Sequence, residues 1–324
     1  MRIGLLFVLL GLLAQPAWAA TPQDFEDCKS DLVEKRIAGC TQIIEEKLFP
    51  AQQRANAYHY RGLAYEANTD FGRALADYNE AIKLAPKDAT LLFSRGKLFQ
   101  EEGDYARSVT DLSEAIALDP KLAIAYNWRG LSFFYDNDTN LAVADFDAAI
   151  RLDPNYADAY WNRGQAHELA HDFDSALADY TALIKLEPNG GRGYAGRSRS
   201  YRLMKDYDHA MADAEALLRV VPGECCVHSI RGDVYRDKGE LDRAIADYSG
   251  DIQLDPNYAE SYRRRGVTYR MKGERESAIA DLQKALQLER HDDEARAELK
   301  ALGVEPSSDW EIVPKGKTLL DVLK

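Results

Sequence analysis

Apolar and small residues recur along this chain at helical spacing, and the spacing itself repeats. Tyr58, Gly62 and Tyr65 stand at i, i+4 and i+7, one stripe of an α-helix with polar residues between them. After a short polar break a second stripe carries Ala74 and Tyr78 and ends before Pro86. A residue that precedes proline is steered out of the helical region, so the second helix stops there. The whole arrangement returns every 34 residues without an insertion. Arg-Gly occupies 61–62, 95–96, 129–130, 163–164, 231–232 and 265–266, and Arg197-Ser198 fills the gap in that series. Pro86, Pro120, Pro154, Pro188, Pro222 and Pro256 keep the same interval. So do Ala74, Ala142, Ala176, Ala210, Ala244 and Ala278, with Ser108 as the exception.

With Gly62 counted as the eighth residue of its unit, the chain holds seven repeats: 55–88, 89–122, 123–156, 157–190, 191–224, 225–258 and 259–292. Each reads as helix A, a turn and helix B. Gly or Ala at positions 8 and 20 lets the two helices approach, while large residues at 11 and 24 fill the space around that contact. One such hairpin has too little core to stand alone, so stability requires stacked neighbours and polar ends.

The run Tyr58-x-x-Arg61-Gly62-x-x-Tyr65, with Ala74-x-x-x-Tyr78 and Pro86, resembles the tetratricopeptide repeat (TPR). The resemblance implies an all-α chain, an α-solenoid winding as a right-handed superhelix of helix-turn-helix repeats. It also implies a concave groove lined by helix A that takes a peptide or a partner's helix. One departure from the family is systematic. Position 7, usually leucine, is Arg in all seven repeats, and position 23 is Asp in all seven: Asp77, Asp111, Asp145, Asp179, Asp213, Asp247 and Asp281. A half-buried guanidinium needs an acceptor, so a ladder of Arg–Asp pairs is expected within or between repeats.

The two ends differ from the repeats. Arg2, the apolar run from Ile3 to Leu13 and the small-residue pattern Ala17-Trp18-Ala19 read as a signal peptide over 1–19. The expected product is exported, to the bacterial periplasm rather than the medium, with no membrane insertion. Residues 20–54 read as a degenerate helical hairpin on the same ruler, with Cys28 at position 8 and Cys40 at position 20. Those are the close-approach positions, and an oxidising compartment makes a Cys28–Cys40 disulfide the expectation, two buried thiols being the alternative. Residues 293–303 read as a capping helix closed by Gly303, and 304–324 as a tail.

The net charge of −13 argues against nucleic acid as partner, because phosphate contact needs a basic field. Positions 2, 5, 9 and 12 form a second helix-A stripe that varies between repeats, and specificity is expected there. Its first zone is aromatic: Phe93, Asn127, Phe134 and Trp161, with Tyr135 beside them. Its second zone is basic, with Arg192, Arg199, Arg202, Arg236, Arg263 and Arg270. Six arginines on one surface suit an acidic peptide or an anionic glycan through bidentate contacts. The competing expectation is neutralisation within the groove by Asp233, Asp237, Glu168 and Glu260.

Three motifs imitate chemistry. His167-Glu168-Leu169-Ala170-His171 matches the HExxH of zinc peptidases, yet on the ruler His167 falls at packing position 11 and His171 in the inter-helix turn. The glycine-rich run from Gly191 to Ser198 imitates a phosphate-binding loop but falls inside a helix A, where its glycines suggest a soft hinge. Adjacent Cys225 and Cys226 rarely pair with each other. The expectation is therefore a non-enzymatic adaptor without cofactor that binds a protein or peptide in the cell envelope. An assembly chaperone or glycan scaffold is the alternative, and a zinc hydrolase the remote one.

Overall fold

A computed structural model describes residues 20–224 and 226–305; residues 1–19, where a signal peptide is expected, Cys225 and the residues from 306 onward lie outside the described residues. Within those bounds there are 17 helices and no strand. The chain divides into two compact units, one ending at Asp153 and the other beginning at Pro154. The first holds α1 (Pro22–Cys28), α2 (Val33–Glu45), α3 (Ala51–Ala67), α4 (Phe71–Leu84), α5 (Ala89–Glu101), α6 (Tyr105–Leu118), α7 (Ala123–Tyr135) and α8 (Thr139–Leu152). The second holds α9 (Ala157–Leu169), α10 (Phe173–Leu186), α11 (Gly191–Leu203), α12 (Tyr207–Val220), α13 (Val227–Asp237), α14 (Leu241–Leu254), α15 (Ala259–Lys272), α16 (Arg275–Leu288) and α17 (Asp293–Ala301). In each unit consecutive helices pack as pairs and the pairs stack, an all-α solenoid.

The turn from helix A to helix B is built alike in every repeat. Position 15 takes a left-handed backbone: Thr69, Asn137, His171 and Lys205 at φ 56° to 65°, and Gly103, Gly239 and Gly273 at 79° to 85°. The following N–H then reaches back, as Asp70 N does to the Tyr65 carbonyl at 2.8 Å, satisfying a carbonyl the helix end would leave bare. In the first five repeats aspartate at position 16 next caps helix B, and in the last two Glu240 and Glu274 stand there without a side-chain cap. Asp70 accepts from the Arg73 N–H at 3.1 Å and Asp104 from that of Arg107 at 3.0 Å.

Between the paired helices the small residues have a steric cause. A Cβ added at Gly62 would lie 2.6 Å from the Tyr78 ring, and one at Gly164 2.7 Å from Tyr180. The expected soft hinge near 190–196 is not what the packing shows. A Cβ at Gly193 would meet Ile184 at 2.7 Å and one at Gly196 would meet Tyr180 at 2.6 Å, so these glycines seat α11 tightly on α10.

The ladder of arginines and aspartates forms within repeats. Arg61 pairs with Asp77, and the partners recur sixteen residues apart up to Arg265 and Asp281, at nitrogen–oxygen distances of 2.5 to 2.8 Å. The bond is bidentate: in Arg129, Nε donates to Asp145 Oδ2 and Nη2 to Oδ1, each at 2.7 Å. All seven aspartates are buried, with 3% to 8% of their surface exposed. The remaining nitrogen ties the repeat to the one before it, Nη1 of Arg95 donating to Asn79 at 2.7 Å, of Arg129 to Ser113 at 3.0 Å and of Arg197 to Thr181 at 3.0 Å. Aromatic rings close the site. The Arg61 guanidinium lies 5.6 and 5.8 Å from the Tyr58 and Tyr65 ring centres, positions 4 and 11 of the same helix.

At the N-terminal end the sulfurs of Cys28 and Cys40 are bonded and join α1 to α2, with Cα atoms 4.5 Å apart. At the other end α17 buries Ala295 and Leu299 against Leu282, Ala285 and Leu286 of α16. One further buried carboxylate has no counterpart in the frame. Asp251 on α14 accepts from the N–H groups of His228 (3.1 Å) and Ser229 (2.7 Å), capping α13 from a neighbouring helix. It does so where α13 has no side-chain cap of its own and begins at a left-handed Cys226.

Removing one member of a ladder pair strands a charge that is sheltered from water. Asp145→Ala should destabilise the fold by about 3–5 kcal/mol, against about 0.2–1 kcal/mol for an exposed pair. Thermal unfolding followed by circular dichroism, with exposed Asp136→Ala as the control, would show a clear drop in the midpoint for Asp145→Ala alone.

Candidate functional site

The variable helix-A stripe is where residues outside the frame collect, and each unit presents its own portion. In the first unit Phe93 on α5 is half-buried and packs on the cluster of Leu112, Ile116 and Ala125. Asn127 on α7 is buried, with 3% exposed, and makes its interactions inside the protein. Neither offers much to a partner. Phe134 and Tyr135, at the end of α7, form an edge-to-face pair at 5.6 Å, and Tyr135 stacks on Tyr105 of α6 at 5.8 Å. Tyr135 keeps 53% of its surface exposed, so this aromatic corner is the accessible remnant of the first zone.

The second unit carries Trp161, 5.5 Å from the Tyr180 ring and beneath the Arg199 guanidinium, and the six arginines. Every one of the six has an acidic partner in this chain. Arg192 pairs with Asp158 (2.7 Å), Arg199 with Glu168 (2.6 Å), Arg202 with Asp237 (2.6 Å) and Arg236 with Asp233 and Asp237 (3.2 Å each). Arg263 meets Glu260, Glu294 and Asp292, and Arg270 meets Glu298 at 2.5 Å. The face that reads as basic in sequence is thus electrically balanced, as the competing expectation held for Glu168, Asp233, Asp237 and Glu260.

These pairs belong to a second network, one that the repeat ruler does not reveal. A carboxylate on one helix A accepts a tyrosine hydroxyl from its own helix B or a cation from the next repeat, or both. Glu66 accepts from Tyr78 at 2.8 Å and from Lys97 at 2.5 Å. Glu168 takes Arg199 and the Ser200 hydroxyl (2.6 Å). Asp233 takes Tyr248 and Arg264, each at 2.8 Å. Burial, with Glu66 adding to it, pushes the Tyr78 hydroxyl far above its ordinary pKa, and burial with Asp233 does the same at Tyr248. Both hydroxyls therefore stay protonated donors. The spacing of about one repeat between Glu66 and Lys97 was visible in the sequence, but acidic and basic residues are too common on helix faces for it to single them out.

The zinc-peptidase look-alike dissolves in the geometry. Helix α9 ends at Leu169 and His171 sits in the left-handed turn at φ 58°, so the two imidazoles do not share a helical face. His167 instead lies 3.6 Å from Asp172 and 3.9 Å from Asp179. The glycine-rich run is helix α11 from its first residue. No helix among the described residues is long and apolar enough to cross a membrane.

Two groups of comparisons bear on this architecture. A family model described as TPR repeat matches residues 96–136, 130–169 and 232–273, and two described as tetratricopeptide repeat match 55–88 with 157–189, and 259–292. No curated protein matches the sequence significantly. Among solved structures, a tetratricopeptide repeat protein from Parabacteroides merdae superposes with a TM-score of 0.67 at 18% identity, over 77% of this chain and 98% of that one. PilW, described as a widely conserved type IV pilus biogenesis factor, gives 0.57 at 19% identity, over 64% of this chain and 96% of its own. Yeast Tom70 gives 0.57 at 16%, over 83% of this chain and 59% of its own. At these identities the likeness is one of fold.

On α3, His59 occupies stripe position 5 and bonds across to α5 through Nε2 and the Ser94 hydroxyl at 2.8 Å. Burial holds its pKa below the ordinary 6.5, against the pull of Asp88 and Glu66. The unfolded chain therefore binds this proton at higher pH than the folded one, and stability present above about pH 6.5 declines as pH falls below it. Unfolding midpoints measured from pH 7.5 down to pH 5.5 should fall for the native protein and fall less for His59→Gln.

Proposed function

We propose that this chain, which belongs to the tetratricopeptide repeat family, is a non-enzymatic scaffold that holds a protein or peptide partner in the cell envelope against its helix-A stripe. The carrying observation is how the residues divide. Those that recur every 34 positions are spent on the frame, with arginine and aspartate locked together and tyrosines buried, while the varying stripe ends at Phe134 beside an exposed Tyr135, which stacks on Tyr105 of α6. Exposed aromatic clusters with a polar surround are favoured anchors for partners. By family likeness this stripe lines the concave side of the array.

Charge shapes the rest of the reading. The arginines of the second unit are balanced by their own carboxylates, so an acidic partner would engage them by exchanging with Asp158, Asp237 or Glu298 rather than by meeting a bare basic field. The excess of acidic residues in the whole chain speaks against nucleic acid as partner. The envelope setting rests on the amino-terminal residues 1–19 as a signal peptide, and the bonded Cys28 and Cys40 suit an oxidising compartment. An assembly chaperone is the variant of this scaffold in which the partner leaves after folding.

Two measurements test the proposal. A photo-crosslinking amino acid placed at Tyr135 in living cells should give a discrete adduct that is lost with Phe134→Ala, whereas the same probe at Lys83, an exposed helix-B residue, should not. Equal adducts from both positions would remove the stripe as the binding face. Intact mass of the protein from a periplasmic fraction should show a chain beginning near Ala20; a full-length cytosolic chain would overturn the location.

A further inference from the structure

The amino-terminal hairpin, outside the regular repeats, carries a pocket of about 380 Å³ lined by Phe25, Cys28 and Lys29 of the α1 segment, Ile43 of α2, and Gln53, Asn56, Ala57 and Tyr60 of α3. Its floor is apolar: Cys28, Ile43 and Ala57 are buried together, with Phe25 and Tyr60 packed against them. Its rim is not. Gln53 and Asn56 stand one helical turn apart on α3, and each amide offers both a donor and an acceptor. Asn56 uses its carbonyl oxygen on Gln52 at 3.1 Å, which leaves its N–H₂ for a guest. Lys29, at the end of α1, also lines the pocket, is exposed, and forms no ion pair within 4.0 Å among the described residues. Of the α1 carboxylates, Glu26 stands one helical turn before Lys29, while Asp24 and Asp27 line a separate cleft with Ala38, Gly39 and Thr41.

We propose that this pocket binds a peptide segment bearing an apolar side chain next to a carboxylate. The apolar side chain fills the floor, the two amides pair with the guest's backbone as they would with a neighbouring strand, and the Lys29 ammonium meets the carboxylate. The backbone pairing favours a peptide over a fatty acid, whose one polar group is the carboxylate and which has no N–H to give the amide carbonyls.

The site depends on how α1 is held. Seven residues are too few to keep a helix in isolation. A Cβ at Gly39 would lie 2.5 Å from the Asp24 carbonyl and 2.7 Å from the Cys28 nitrogen, so α1 rests backbone-first on α2, and the Cys28–Cys40 bond fixes it there. Phe25 and Lys29 are therefore one wall of the pocket by virtue of that tie. The tie explains why a covalent link stands here, where helix A is the shortest among the described residues.

This inference is independent of the helix-A stripe further along the array, and its test reads different residues. Methyl NMR signals of Ile43 and Ala57 in the purified protein should shift on titration with the blocked tetrapeptide Ala-Leu-Asp-Ala, and less with Ala-Leu-Lys-Ala. Lys29→Glu, which leaves the floor intact, should weaken the first peptide roughly fivefold and erase its advantage over the second. Cys28→Ser with Cys40→Ser should abolish the shifts; circular dichroism of the repeats, unchanged, would separate loss of the wall from loss of the fold. Asn56→Leu provides a fold-neutral second variant and should weaken both peptides. Equal binding of the two peptides by the native protein, or shifts produced by octanoate and by neither peptide, would overturn the proposal whatever the crosslinking at Tyr135 shows.

Discussion

The bidentate pair between arginine at position 7 and aspartate at position 23 is what the remaining architecture is arranged around. It stands where a tetratricopeptide repeat ordinarily places leucine, and a charge there is tolerable only if each of its donors is satisfied. Two donors meet the aspartate on helix B, a third reaches the helix B before it where Asn79, Ser113, Thr181 or Ser249 waits, and rings at positions 4 and 11 cover the faces. Lysine would not serve, because a single ammonium cannot hold a planar fork against a carboxylate while reaching another helix. The Asp111 hydrogen bond raises the Arg95 guanidinium's pKa further above an already basic value, so the guanidinium remains a charged donor. Within each unit this contact ties helix A to its own helix B and, at Arg95, Arg129, Arg197 and Arg265, to the helix B before it.

A solenoid whose glue is partly ionic has a particular surface. Its charges are consumed in pairs that cross from one repeat to the next, such as Lys97 to Glu66 and Arg264 to Asp233, and the outcome is a balanced helix-A face on an acidic chain. Balance changes what can be recognised there. Such a face leaves exposed aromatic area and presents no long-range field. The exposed Tyr135 and its stacked neighbour Tyr105 are the clearest instance.

The two ends solve the problem of an unfinished stack differently. At the carboxyl side α17 presents Ala295 and Leu299 inward and charged residues outward, which suffices because its partner helix α16 is full length. At the amino side α1 is short and its burial small, so a disulfide and a glycine contact with α2 supply what packing alone does not.

Much of this protein could be read before any coordinates. The interval of 34 residues and the prolines after helix B are displayed by a single chain in one dimension. The reciprocal appearance of arginine and aspartate marked an ion pair, and Cys28 and Cys40 at close-approach positions marked a disulfide, because each falls at a fixed place in a known frame. What could not be read were relations between side chains on different helices. Arg199 looks like a free cation until Glu168, thirty-one residues earlier, is seen beneath it; Asn127 looks like a groove residue until it is found buried. Gly193 looks like slack until Ile184 is found against it, and nothing along the chain marks Asp251 as the cap of the next-door helix. Those outcomes turn on distances of a few ångströms across a packed interface, and periodicity, which orders residues along a helix, carries no information about what stands opposite them.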